Sequence, residues 1–205
     1  MIHVGIADDH AVIRRGIQLF ISQESEMTLV MEAMDGEDLQ AKLAEKDLDI
    51  LLLDIDMPRM NGITAIRDIK ENHPELRVII LSMHPEEIYG VTARKMGASG
   101  YVSKDVDPSE VIKAIKLVMR GDEYFNENLY RKNRRGEVSA MKLSKRESEV
   151  LKLLSNGLTN KEISNQLDIS EKTVSTYKIR LMNKLGAKSV VDLVNFGHRF
   201  MEMEE

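Results

Sequence analysis

The sequence contains no cysteine among its 205 residues, which excludes a disulfide framework and any thiolate metal site. No apolar run approaches the roughly 20 residues that a helix needs to cross a bilayer. Asp8 and Asp9 interrupt the first residues, where a secretory signal would require an apolar core. No internal repeat or low-complexity tract is present. We therefore expect a cytoplasmic globular protein with no membrane contact.

Charge is distributed unevenly along a chain whose net charge is −5. Residues 1–119 carry 13 basic and 21 acidic side chains, whereas residues 141–205 carry 11 basic and 9 acidic ones. An acidic part followed by a mildly basic part suggests two domains with different partners. The stretch between them is polar and poor in periodic apolar residues. We predict domains at residues 1–120 and 141–205, joined by a linker at residues 121–140.

Short apolar runs recur through the first 120 residues and are typical of buried parallel strands. They comprise Ile2–Ala7, Met27–Met34, Asp49–Asp54, Arg77–Ser82 and Gly100–Ser103. Amphipathic stretches separate them, with helix signals at Asp9, at Gly62–Lys70 and at Asp107, which is followed by Pro108 at the first helical position. This alternation predicts a doubly wound α/β domain with a five-stranded parallel sheet.

Acidic side chains follow two of the predicted strands. Asp8 and Asp9 end the first run and Asp54 ends the third. A single aspartate at such a position is also common in turns and at helix N-caps. Because the carboxyl ends of parallel strands meet at one edge of a sheet, the three carboxylates should share a pocket. They would repel one another without a cation, and a hard divalent ion such as Mg²⁺ is the natural partner.

Ser82 and Lys104 also end strands, and with them the first 120 residues resemble the receiver domain of bacterial two-component response regulators. The residues that carry the resemblance are Asp8, Asp9, Asp54, Met57, Pro58, Gly62, Ser82, Tyr101 and Lys104. The resemblance implies a flavodoxin-like fold, and it implies that Asp54 accepts a phosphoryl group from a histidine kinase. It also implies that Mg²⁺ is held by Asp9, Asp54 and the backbone carbonyl of Asp56, with Asp8 helping through water.

The same resemblance assigns roles to further residues. Ser82 and Lys104 would hydrogen-bond to the phosphoryl oxygens and neutralise them. Ser82 and Tyr101 would form the switch, with the tyrosine ring turning inward on phosphorylation. Asp56 and His84 flank the path of an attacking water, and we hypothesise that they tune the lifetime of the aspartyl phosphate. The protein would then not be an enzyme, apart from slow loss of its own phosphoryl group.

The last third of the chain predicts a compact unit of four helices. Three Ser or Thr residues are followed three positions later by an acid, as in a capping box: Ser144 with Glu147, Thr159 with Glu162, and Ser189 with Asp192. Ser170 offers a fourth N-cap. The short helix at 160–166 and the turn at 167–170 have the dimensions of a helix-turn-helix motif.

The stretch Lys172–Lys188 contains five basic residues and no acid. A cationic helix in an acidic protein suggests a polyanion as partner, although a solvated basic face is an ordinary alternative. A 3.6-residue period with Val174, Tyr177, Leu181 and Leu185 buried leaves another set pointing outward. We predict that base edges are read by Ser175, Thr176 and Ile179, and that phosphates are contacted by Lys172, Lys178, Arg180 and Lys184.

Residues 141–200 resemble the LuxR-type DNA-binding domain. The resemblance is carried by Leu143–Glu147, Glu149–Leu151, Gly157–Ile163, Leu167 and Ser170–Val174 through Leu185. Together the two resemblances identify a member of the NarL/FixJ family of response regulators, and residues 172–178 are similar to the BvgA and EvgA subgroup. They imply a regulator that binds double-stranded DNA as a homodimer after phosphorylation, with RNA polymerase as a further candidate partner.

Two alternatives stay open at this point. Asp54 and Asp56 form a D-x-D pair after a strand, as in haloacid-dehalogenase-type phosphatases, although those enzymes carry the motif on the first strand and would leave Asp8 and Asp9 without a role. A regulator that binds DNA without phosphorylation is the other alternative. The intact acceptor set argues against it.

Overall fold

The computed structural model describes residues 1–60, 62–127, 129, 143–185, 187 and 189–202. The strands are β1 Ile2–Ala7, β2 Met27–Ala33, β3 Ile50–Asp54, β4 Arg77–Ser82 and β5 Gly100–Ser103. The helices are α1 Ala11–Ser22, α2 Gly36–Leu43, α3 Gly62–Asn72, α4 Glu86–Lys95, α5 Pro108–Met119, α6 Lys145–Ser155, α7 Asn160–Leu167, α8 Glu171–Leu185 and α9 Val190–Glu202. Among the helices described, none combines the length and apolar character that a bilayer crossing requires.

The five strands form one parallel sheet in the order β2-β1-β3-β4-β5. Every residue of the central strand β3 is buried, which explains why its apolar run is unbroken. The predicted doubly wound α/β fold, with its five-stranded parallel sheet, is confirmed.

The main apolar cluster of the first unit joins the sheet to two helices. Leu52 of β3 lies in this cluster with Val4 and Ile6 of β1, and all three side chains are fully buried. The helix residues of the same cluster include Ile17 and Ile21 of α1 together with Ile112 and Ile115 of α5. Helices α1 and α5 therefore cover one face of the sheet.

Helix α5 begins as its sequence predicts. Pro108 is the first helical residue, and the side chain of Asp107 accepts a hydrogen bond from the backbone N–H of Ser109. Helix α1 differs from the expectation of a start signal at Asp9, because its N-cap is His10 and no side chain caps it. The Asp9 side chain instead lies in the acidic pocket, beside Asp8 and Asp54.

The predicted linker, residues 121–140, begins with residues that pack on the sheet. Tyr124 pairs with Gly100 as a parallel bridge, donates its N–H to the Ser99 carbonyl and accepts from the Tyr101 N–H at 2.8 Å. The Tyr124 hydroxyl donates to Glu110 of α5 at 2.9 Å. The structured first unit therefore extends past residue 120, and residues 130–140 of the predicted linker lie outside the described residues.

The chain divides into two compact units, Met1–Val138 and Ser139–Glu205. In the second unit α6 and α7 both carry the predicted capping box, formed by Ser144 with Glu147 and by Thr159 with Glu162. Ahead of α9, Ser189 and Asp192 exchange the same pair of bonds, at 2.8 and 3.1 Å. Ser170 caps α8 by accepting from the Thr173 N–H. All four predicted helix starts are confirmed. They could be predicted from the sequence because each depends only on a local pair of residues.

Candidate functional site

The predicted carboxylates meet at the carboxyl edge of the sheet. Asp54 ends β3 and Asp8 follows β1, and both are fully buried, whereas Asp9 is exposed. Asp54 accepts a hydrogen bond from the Asp56 N–H at 3.1 Å. The loop after β3 passes close to α3, because a Cβ at Gly62 would lie only 2.5 Å from the Asp54 carbonyl oxygen. Glycine is needed there to let the backbone approach.

Lys104 joins the two buried carboxylates. Its Nζ lies 2.7 Å from Asp54 Oδ2 and 2.8 Å from Asp8 Oδ2, and only 3% of its side chain is exposed. The backbone places it there, since the Lys104 N–H donates to the carbonyl of Ser82 at the end of β4. Buried charges of this kind need partners, and the two carboxylates provide them.

Burial raises the pKa of Asp54, and this effect outweighs the opposing influence of the Lys104 ammonium. Burial acts in the opposite sense on Lys104, but hydrogen bonds and attraction to Asp54 and Asp8 prevail and raise the pKa of the lysine. The lysine therefore stays charged. One ammonium faces several carboxylates, which leaves an excess of negative charge in the pocket.

His10 belongs to the acidic pocket and was missed by the sequence analysis. Ligand atoms of Asp8, Asp9, His10 and Asp54 all lie within 4.8 Å of one another. His10 Nδ1 is 2.6 Å from Asp9 Oδ1 and 3.2 Å from Asp8 Oδ1. Its position directly after the two aspartates was the available signal. The oxygen-rich donor set and the excess negative charge fit a hard divalent cation, which prefers oxygen ligands.

Ser82, His84 and Tyr101 form a connected group beside the pocket. Ser82 is fully buried, and its Oγ accepts from the His84 N–H at 3.0 Å. The Tyr101 hydroxyl donates to the His84 carbonyl at 2.9 Å, and the side chain is only 3% exposed. Burial raises the pKa of Tyr101, so this hydroxyl keeps its proton. The ring expected to turn inward already lies inward here.

Asp56 and His84, which were predicted to flank the path of an attacking water, are in contact. His84 Nε2 lies 2.9 Å from Asp56 Oδ2, and both side chains are partly exposed. The His84 ring also packs edge-on against Tyr89 of α4, with 5.2 Å between ring centroids. The contact spans two strand ends, so it closes the rim of the pocket next to Asp54.

Helix α8 presents the predicted outward face. Val174, Leu181 and Leu185 are buried, as the 3.6-residue period predicts, and Tyr177 is half-buried. Ile179 is 60% exposed. Lys172, Thr176 and Arg180 are also exposed, and the Arg180 guanidinium lies 5.9 Å from the Tyr177 ring centroid. Lys188 lies outside the described residues.

Asn160, the first residue of α7, was also missed. Its Nδ2 donates to Ser175 Oγ and its Oδ1 accepts from Lys178 Nζ, both at 3.2 Å. Two residues that were predicted to contact DNA are thus held by the neighbouring helix. No signal within α8 could have shown this, because the contact joins two elements whose relative position the periodicity does not fix.

Lys184 has an anionic partner of its own. Its Nζ lies 2.7 Å from Oε2 of Glu147, a buried residue of α6 whose carboxylate also takes the Ser144 N–H. Burial opposes ionisation of Glu147, but the bonds from Lys184 and Ser144 prevail and lower its pKa. The ammonium that was predicted to contact phosphates therefore ties α8 to α6.

Comparison with known protein families gives a separate match for each of the two units. Residues 4–116 match the response regulator receiver domain, and residues 141–196 match the luxR family of bacterial regulatory proteins. Transcriptional regulatory protein DegU of Brevibacillus brevis is 33% identical, over 96% of this chain and 94% of its own. Oxygen regulatory protein NreC of Staphylococcus epidermidis is 36% identical, over 93% of this chain and 94% of its own length.

Among solved structures, RcsB from Salmonella enterica serovar Typhimurium bound to promoter P1flhDC with the phosphomimetic BeF3⁻ aligns with a TM-score of 0.74. The two are 31% identical, and the alignment covers 97% of this chain and 98% of that one. These matches and the two folded units define a phosphorylation-controlled, DNA-binding transcription regulator. The chain belongs to the NarL/FixJ family of response regulators. The likeness to the BvgA and EvgA subgroup stays a prediction.

Proposed function

We propose that Asp54 is the phosphoacceptor and takes its phosphoryl group from a histidine kinase. The observation that carries this proposal is the buried Asp54 carboxylate at the end of β3, in contact with Lys104 at 2.7 Å. A carboxylate can act as a covalent nucleophile, and phosphoryl transfer mainly needs positioning and cations around the phosphoryl oxygens. Lys104 supplies one of those cations, and the Ser82 hydroxyl lies at the end of the adjacent strand.

Mg²⁺ is the proposed cofactor of this step. Asp9, Asp54 and the backbone carbonyl of Asp56 would hold it, with Asp8 helping through water. When bound, the ion would offset the charge of the carboxylates and of the phosphoryl group. Asp8 would have a second role, because its Oδ2 lies 2.8 Å from Lys104 Nζ and so positions the ammonium beside Asp54.

The Asp56–His84 pair is proposed to set the lifetime of the phosphorylated state. Their contact at 2.9 Å lies on the rim next to Asp54, where a water must pass to attack an aspartyl phosphate. Asp56→Asn and His84→Ala should therefore change the rate at which phosphorylated protein loses its label. Equal rates in both variants and the wild type would reject this role.

Switching is proposed to run through Ser82 and Tyr101. A phosphoryl group adds about two negative charges and three acceptor oxygens, which is enough to bias a loop with two arrangements. Ser82 and Tyr101 both bind the backbone of His84, so a shift of Ser82 would be felt at the tyrosine. Tyr101 also donates its N–H to Tyr124, at the start of the predicted linker.

DNA binding is assigned to α8 and to a homodimer that forms on phosphorylation. Ser175, Thr176 and Ile179 would contact bases, while Lys172, Lys178 and Arg180 would contact phosphates. The first predicted assignment also included Lys184, whose ammonium is already paired with Glu147. Dimerisation fits the structure of two RcsB dimers bound to two parallel DNAs, reported for that relative. Paired domains gain affinity from each other's contacts. RNA polymerase is a further proposed partner.

The test is incubation with acetyl phosphate and Mg²⁺, followed by intact mass, peptide mapping and oligomer size. We expect one label on Asp54, none on Asp54→Asn, and DNA binding that rises with labelling. A label on another side chain would reject the proposal. Equal DNA binding by wild type and Asp54→Asn would favour regulation without phosphorylation. Repeated turnover of an aryl phosphate would favour the phosphatase alternative, which the position of the motif after the third strand opposes.

A further inference from the structure

Hydrogen bonds on the DNA-facing helix have a defined direction. An ammonium can only donate, so the Asn160 oxygen must face Lys178 and the Asn160 amide N–H must face Ser175. Ser175 Oγ is therefore an acceptor in its contact with α7. The chemistry of the lysine alone fixes this direction.

The hydroxyl protons of Ser175 and Thr176 are used within α8. Ser175 Oγ donates to the Glu171 carbonyl at 3.0 Å, and Thr176 Oγ1 donates to the Lys172 carbonyl at 2.9 Å. A hydroxyl has one proton and two lone pairs. After its bond from Asn160, Ser175 keeps one free lone pair, and Thr176 keeps both. Neither hydroxyl can donate to another partner without giving up its bond within α8.

We propose that Ser175 and Thr176 read DNA as hydrogen-bond acceptors and so select base amino groups. In the major groove only adenine N6 and cytosine N4 donate, whereas guanine and thymine present acceptors there. The operator should therefore place adenine or cytosine opposite these two residues. This inference rests on the proposed role of α8 in DNA binding and names the base chemistry that α8 recognises.

Asn160 is the positioning residue in this arrangement. Its amide takes one of the three positions around Ser175 Oγ, which leaves the proton a choice between the Glu171 carbonyl and the groove. A proton turned toward a guanine or thymine oxygen would give up the bond to Glu171. The amide also binds Lys178, so the same side chain sets a base-reading hydroxyl and a phosphate-facing ammonium.

The experiment starts with DNA selection by the full-length protein after treatment with acetyl phosphate. Wild type is compared with Ser175→Ala, Thr176→Val and Ser175→Thr, the last of which keeps a hydroxyl. Ser22→Ala is the matched control, because Ser22 Oγ makes the same kind of bond to its own helix, at 2.7 Å from the Leu19 carbonyl, but lies in α1. We expect Ser175→Ala and Thr176→Val each to relax the choice of adenine or cytosine at one position, while Ser175→Thr and Ser22→Ala keep it.

Base analogues then test the direction of the bond. At the position relaxed by Ser175→Ala, purine in place of adenine, or 2-pyrimidinone in place of cytosine, removes only the amino group. Loss of one hydrogen bond should weaken wild-type binding about fivefold and leave Ser175→Ala unchanged. The inference would be overturned if the wild-type protein selects guanine or thymine at the position that a variant relaxes. It would also be overturned if an analogue weakens binding by wild type and by Ser175→Ala equally. Unchanged base preferences in both Ser175→Ala and Thr176→Val would overturn it too. The proposed function would still stand in that case if DNA binding rises with labelling.

Discussion

Replacing Lys104 by methionine should destabilise the first unit strongly, because it removes the only cation that contacts both buried carboxylates among the described residues. The ammonium lies 2.7 Å from Asp54 and 2.8 Å from Asp8, and its side chain is 3% exposed. Removing one partner of a buried pair typically costs about 3–5 kcal/mol, since the remaining charge stays buried. Methionine keeps most of the aliphatic length, so lost packing contributes little.

The charge origin of this loss can be separated from packing by a double-mutant cycle. Asp54→Asn alone should be neutral or stabilising without metal, since burial raises the pKa of Asp54 and Lys104 retains Asp8 as partner. In the Asp54→Asn background, Lys104→Met should cost about 2 kcal/mol less than in the wild type. Mg²⁺ should recover part of the loss in Lys104→Met, because it can replace the missing positive charge.

The pH dependence of the Lys104→Met variant has a definite sign. Burial already raises the pKa of Asp54, and without the ammonium that opposes this effect the pKa rises further. The folded variant then binds protons more readily than its unfolded chain, so its deficit should shrink as the pH falls from neutrality toward about 4, the ordinary range of aspartate. Urea titrations read by hydrogen exchange in peptides from β3 and β5 report this unit separately. A loss below about 1 kcal/mol, or equal losses in both backgrounds, would refute the reasoning.

Contacts elsewhere in the two units give three more predictions. Gly62→Ala should cost about 1–3 kcal/mol in urea unfolding, because its Cβ would meet the Asp54 carbonyl at 2.5 Å. The wild-type second unit should lose stability as the pH falls below 4.5, since the pKa of Glu147 is lowered from that value, and Glu147→Gln should weaken this dependence. Lys178→Ala should reduce the salt slope of DNA binding by about one, while Lys184→Ala should mainly lower the free energy of unfolding.

Each of these has a contradicting result. A Gly62→Ala variant as stable as the wild type would show that the loop can move away from β3 at no cost. Identical acid profiles for wild type and Glu147→Gln would show that the Lys184 contact does not stabilise the ionised carboxylate. If the salt slope of DNA binding falls more in Lys184→Ala than in Lys178→Ala, Lys184 contacts phosphates as first predicted.

The sequence predicted features that depend on one element or on neighbouring residues. β3 could be recognised because a strand buried on both faces must be apolar along its whole length, and the capping boxes because both partners lie within one helical turn. The contact of Asn160 with Ser175 and that of Glu147 with Lys184 could not, since each joins two helices. Tyr124 was placed in a linker because a single bridge beside β5 leaves no periodic pattern.

The two buried carboxylates explain why Lys104 can keep the acidic pocket folded but cannot offset all of its negative charge. Lys104 must stay charged to keep Asp8 and Asp54 buried, and their attraction raises its pKa accordingly. Asp9 adds a further negative charge at the rim, so the pocket retains an excess of negative charge that repels an incoming phosphoryl group. A divalent cation held by the same carboxylates would reverse that repulsion. The proposed dependence of phosphorylation on Mg²⁺ therefore follows from the ratio of carboxylates to ammonium groups, which is the property that Lys104→Met changes most directly.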